Sequence, residues 1–237
     1  MPSYAGTLEN AKGIKDWFIM DIGFSSSSKS CGVYTIDEYG NKFIEDLSYG
    51  EMLRKFQAFV NSKTKIGLII EAPLSVAFNN QIAKKDNAPL KNNGNPYGRK
   101  GIEMIETVDR YWYKGTGAMV TLSTINFLHE IKDLIVNKEI HFYEGFVSFK
   151  SFKEDEKQPT HSDDAIALYD ALQYLLKNPP SKPYPSILEN QTANATLQFI
   201  GDYVGITLAN KTVPPVIKIQ DIAKIPSSTT LHEQQLT

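Results

Sequence analysis

Trp17-Phe-Ile-Met-Asp-Ile-Gly23 is a nearly continuous apolar run interrupted by one carboxylate, Asp21. Seven residues of this kind are too few for a helix of ordinary length and suit a strand covered on both faces. A carboxylate inside such a strand is costly unless it meets a cation or several donors. The run therefore predicts a central strand and marks Asp21 as a residue with a chemical purpose.

Working outward, a Ser-rich turn at Ser25–Ser28 leads to Ser30-Cys-Gly-Val-Tyr-Thr-Ile36, a second strand. Asp37-Glu-Tyr-Gly40 turns the chain into a third, Asn41 to Leu47. Strands this closely spaced predict an antiparallel meander. The period then changes: Tyr49, Leu53, Phe56 and Val60 fall at helical spacing, and the helix ends near Asn61-Ser62. Lys65-Ile-Gly-Leu-Ile-Ile-Glu71 is a fourth strand, stopped by Ala72-Pro73. The intervening helix permits a crossover, so this strand can lie parallel to the first.

Ser75 to Gly117 reads as a long irregular insertion, of a length that points to function. Leu122, Ile125, Leu128, Ile131 and Ile135 mark a second helix, Ile140 to Phe146 a fifth strand, and His161 to Leu176 a third helix. The order β-β-β-α-β-α-β-α predicts an α/β domain, a mixed five-stranded sheet with helices on both faces. Residues 1–16 form an N-terminal segment, 17–178 the domain, and 179–237 a Pro-, Ser- and Thr-rich extension. A hairpin is expected at 196–208 and disorder at Ser227–Thr237.

Bulk properties narrow the function classes. Of 237 residues, 41% are hydrophobic and 22% charged, enough for a soluble globular core. No run approaches the roughly 18 apolar residues of a membrane span. Met1 to Asp16 lacks an apolar signal core, so a cytoplasmic location is expected. Cys31, the sole cysteine, excludes an internal disulfide and a multi-cysteine zinc site. A net charge of −2 gives no global signature of a nucleic-acid binder. Locally, Lys84, Lys85, Lys91, Arg99 and Lys100 against Asp86 alone form a basic patch suited to phosphate contacts or simply to solvent. Arg110 and Lys114 flank Tyr111-Trp-Tyr113, aromatics able to stack on bases but better read as a loop buttress.

Three acids stand out. Glu71 closes its strand as Asp21 does, and on parallel neighbours both would lie at the carboxyl ends, where α/β ligand sites gather. Asp164 shares a helix stripe with Leu168, Ala171, Leu172 and Leu175, so it points toward the sheet. Asp163, three residues after Thr160, reads as a capping-box residue rather than a ligand. His161 projects from nearly the same face as Asp164 and suits a site role or a surface one equally. Converging carboxylates repel unless a cation neutralises them, and oxygen-only ligation selects Mg²⁺ or Mn²⁺. Two such ions about 4 Å apart activate water and stabilise the leaving oxygen of a phosphodiester.

Taken in order, Met20-Asp-Ile-Gly23, Cys31-Gly-Val-Tyr34, Ile69-Ile-Glu-Ala-Pro-Leu74 and His161-Ser-Asp-Asp-Ala165 resemble the ribonuclease-H-like superfamily over Trp17 to Leu176. Its RuvC-like and uncharacterised predicted-nuclease branches are the nearest in pattern. The resemblance implies strand order 3-2-1-4-5 and two-metal hydrolysis of DNA or RNA, with Asp21, Glu71 and Asp164 as ligands and His161 beside them. A further acid often joins such clusters. Glu51 and Glu144 are the candidates, though each reads more readily as a surface acid. Nucleic acid is then the expected partner, with a protein partner or self-association open. Two rivals keep the fold: a catalytically silent scaffold, and an actin- or sugar-kinase-type phosphotransferase cradling phosphate at Asp21-Ile-Gly23 and Ser25–Ser28. The chain is short for the latter's two lobes and lacks a second Asp-x-Gly-Gly turn.

Overall fold

The computed structural model describes residues 3–25, 28–72, 74, 76–78, 104–105, 108–109, 115–147, 160–179, 192–194, 204–206 and 216–219. Its strands are β1 (Ser3–Ala5), β2 (Asp16–Asp21), β3 (Cys31–Ile36), β4 (Lys42–Leu47), β5 (Lys65–Glu71), β6 (Val76–Phe78), β7 (Met104–Ile105), β8 (Val108–Asp109), β9 (Glu139–Val147), β10 (Thr192–Asn194) and β11 (Val216–Ile219). The helices are α1 (Leu8–Ala11), α2 (Tyr49–Asn61), α3 (Gly115–Ile135) and α4 (His161–Lys177).

The main sheet runs β1-β9-β5-β2-β3-β4, with β11 also on β9. Five of its strands, in the order β4-β3-β2-β5-β9, give the expected order 3-2-1-4-5. Pairing is antiparallel from β4 through β3 to β2, then parallel from β2 through β5 to β9. The sheet has seven strands rather than the five expected. The additions, β1 and β11, share one edge of β9: Ser3–Ala5 pair with Ile140–Phe142, and Val216–Ile219 with Glu144–Val147. The N-terminal segment and the extension therefore both contribute to the domain's sheet.

Strand alternation sorts the core into two layers. Phe18, Met20, Leu68, Ile70 and Phe142 face α2 and α3, where Phe56 meets Phe18 and Phe127 edge-on at 5.1 Å. Trp17, Ile19, Ile69 and Tyr143 face α4, packing on Ala165, Leu168 and Leu172. The α2 helix starts at a Ser48–Glu51 capping box and buries Met52, Phe56 and Val60, successive turns of one stripe. The α3 helix begins at Gly115, two turns before the expected Leu122. Within the 75–117 insertion, β6 pairs with β10 and β7 with β8, so it holds short strands where irregular chain was expected. Of the predicted 196–208 hairpin only 204–206 are described. They form no strand, and Val204 and Ile206 are buried in the α2–α3 layer.

Candidate metal centre

Strand register assembles one row across the sheet. Asp21 pairs with Glu71 on β5 and with Gly32 on β3, and Gly32 pairs with Asp46 on β4. Paired neighbours point to the same face, here that of Trp17 and Ile19, which α4 covers. The apolar residues of β2 and β5 thus dictate where their terminal acids go: two residues beyond Ile19 and Ile69, Asp21 and Glu71 emerge beneath the start of α4.

Thr160 caps α4. Its side chain accepts from the Asp163 amide, and Asp163 returns a bond to the Thr160 amide at 2.8 Å. Asp163 thereby serves the cap, as its spacing predicts. One residue on, Asp164 faces the sheet at 3% exposure. One carboxylate oxygen from each of Asp21, Glu71 and Asp164 lies within 4.8 Å of the other two, so together they could hold a metal ion. His161 joins the group, its Nδ1 2.5 Å from Asp21 Oδ2, while its side chain stays half-exposed. Glu71 Oε1 accepts from the Val147 amide at 3.3 Å.

The other proposed acids lie elsewhere. Glu51 is exposed and held by the α2 capping box, where the Ser48 bonds keep its carboxyl below the usual range. Glu144 is buried, but it shares register with Ile70 and so belongs to the opposite face of the sheet, where its Oε2 accepts from the Leu74 amide at 3.0 Å. Lys84, Lys85, Lys91, Arg99, Lys100 and Arg110 lie outside the described residues, as do Tyr111–Tyr113. Sequence reasoning missed Asp46. Its Oδ1 accepts from the Ser162 amide at 2.7 Å, joining the far end of the row to the first turn of α4.

The donor set suits a hard divalent cation. Three carboxylates from three elements supply oxygen alone, the chemistry of Mg²⁺ or Mn²⁺. Left to themselves they repel in a partly desolvated site, although the α4 N-terminus offsets part of that cost. The nearby thiol offers no competing soft ligand: Cys31 is buried, its Sγ accepts from the Gly23 amide, and burial pushes its pKa up. No helix among the described residues is long and apolar enough to cross a membrane. No protein-family model matches this chain, and neither the curated proteins nor the solved structures give a match.

Proposed function

We propose that this chain is a Mg²⁺- or Mn²⁺-dependent nuclease of ribonuclease-H-like architecture, hydrolysing phosphodiester bonds in DNA or RNA. The observation that carries this reading is the meeting of Asp21, Glu71 and Asp164 at the carboxyl ends of two parallel strands and the start of a packed helix. The strand order and the antiparallel-then-parallel pairing support the same architecture. A divalent cation supplies a nucleophilic water and neutralises the leaving oxygen. Asp21, Glu71 and Asp164 would hold it. The Val147 amide orients Glu71, and His161 orients Asp21 from the solvent side of the cluster.

The phosphotransferase alternative fares less well on hydrogen bonding. A phosphate cradle needs outward amides, yet Gly23 donates to Cys31 Sγ, Ser25 to Ser30 Oγ, Ser28 to Ser25 Oγ and Ser30 to the Ser28 carbonyl. A silent scaffold has no use for three crowded acids. Nucleic acid is the partner this chemistry needs, and a single buried thiol suits a reducing, cytoplasmic setting. The test is a panel of single-stranded, duplex, hybrid and branched DNA and RNA with Mg²⁺ and Mn²⁺. Cleavage of at least one substrate is expected, falling by about a hundredfold or more in Asp21→Asn and Asp164→Asn. An intact panel together with no ion binding would sink the proposal.

A further inference from the structure

We propose that Asp46, with Gly32, forms a seat that fixes the first turn of α4, making Asp46 a positioning residue for Asp164 and His161. The inference rests on the metal-site reading for its consequence, but the seat itself is independent of any ion. A helix start leaves several amides without intrahelical partners. Thr160 serves that of Asp163 through its hydroxyl, and its carbonyl takes the first intrahelical bond, from Asp164. The Ser162 amide is served from another element, by Asp46 Oδ1 at 2.7 Å. A carboxylate acceptor makes this charge-assisted bond stronger than a neutral one and suited to the positive helix end.

Gly32 sets the height of the same turn. A Cβ built there would lie 1.9 Å from both the carbonyl carbon and the oxygen of His161, so α4 rests directly on the β3 backbone. The missing side chain at Gly32 lets the turn sit this low, and the Asp46 bond holds it there from the adjoining strand. Asp164 and His161 stand on this turn, while Asp21 and Glu71 stand on the sheet. The seat therefore governs whether the third carboxylate reaches the other two.

The experiment measures Mn²⁺ affinity and residue-resolved amide exchange in the full chain, with Asp46→Ala and Asp46→Asn, whose carboxamide oxygen still accepts. Asp46→Ala is expected to speed Ser162 exchange and to weaken Mn²⁺ binding about tenfold or more, as loss of an orienting partner does at metal sites. Asp46→Asn restores both toward wild type. Unchanged Mn²⁺ affinity in Asp46→Ala, or an Asn variant no better than Ala, overturns the proposal. Should Asp46→Ala fail to fold, Asp46→Val, a better strand former without an acceptor, takes its place. If the wild type binds no Mn²⁺, the metal reading has failed by itself. Exchange at Ser162–Asp164 then decides the seat: faster exchange in the Ala variant supports it, and unaltered exchange refutes it.

Discussion

Replacing Asp164 with Asn should make the metal-free protein more stable while removing its response to divalent ions. Two unit charges 4.8 Å apart, the outer limit of separation in the cluster, repel by about 3.5 kcal/mol at an effective dielectric near 20 and by about 0.9 kcal/mol in bulk water. Asp164 faces two such neighbours, but His161 beside Asp21 offsets part of the repulsion. Loss of a first-turn charge subtracts about 0.5 kcal/mol from the gain. A net stabilisation of about 1–3 kcal/mol in EDTA follows. For a chain of this size it raises Tm by about 2–4 °C per kcal/mol. Mg²⁺ at about a thousand times its Kd should reverse the order, because it stabilises the wild type by about 4.1 kcal/mol and the variant hardly at all. Thermal unfolding of both proteins, with EDTA and with Mg²⁺, measures each half. A variant less stable than wild type in EDTA, with Mg²⁺ leaving the wild type unmoved, refutes the reasoning.

Asp163→Ala should cost about 1 kcal/mol through the lost cap yet leave Mn²⁺ affinity close to wild type, separating the two adjacent acids by urea unfolding and metal titration. Gly67→Ala should destabilise by about 2–3 kcal/mol, since its Cβ would lie 2.3 Å from the fully packed Trp17 ring; an unchanged urea midpoint would contradict it. Burial raises the carboxyl pKa of Asp170, against an opposing pull from Lys42. Its charge thus costs stability above the folded-state pKa, and that cost disappears below the unfolded value. Asp170→Asn should melt above wild type at pH 7, with the gap closing as pH falls through the carboxylate range. A gap independent of pH would show that desolvation of this acid is not its source.

Much of the sheet was legible because burial on two faces leaves an unmistakable pattern. The runs around Ile19 and Ile69 read as buried strands, and the helix between them permits a parallel crossover, whereas the strand order 3-2-1-4-5 came from the family resemblance. Asp164 was separable from Asp163 because helix periodicity assigns one residue to the sheet and the other to the cap. The edge strands were not legible. Ser3–Ala5 and Val216–Ile219 are three and four residues long, and they exist as strands because β9 offers a free edge. The opening turns of α3 were hidden by Gly115-Thr-Gly117, which resembles a loop until Phe127 and Leu128 bury the helix. Glu144 was a candidate that read more readily as a surface acid; it is instead buried, and a one-residue difference in register from the acidic row sends it to the other face. Asp46 was missed for a related reason. An acid on an alternating edge strand reads as solvated, and nothing local reveals an amide 116 residues away.

Anomalous diffraction from crystals of the full chain soaked in Mn²⁺ tests the central claim most directly. Manganese peaks are predicted in direct contact with carboxylate oxygens of Asp21, Glu71 and Asp164, and they should vanish in Asp164→Asn crystals. An empty cluster beside manganese bound only at exposed surface acids would contradict the metal centre and the nuclease built on it.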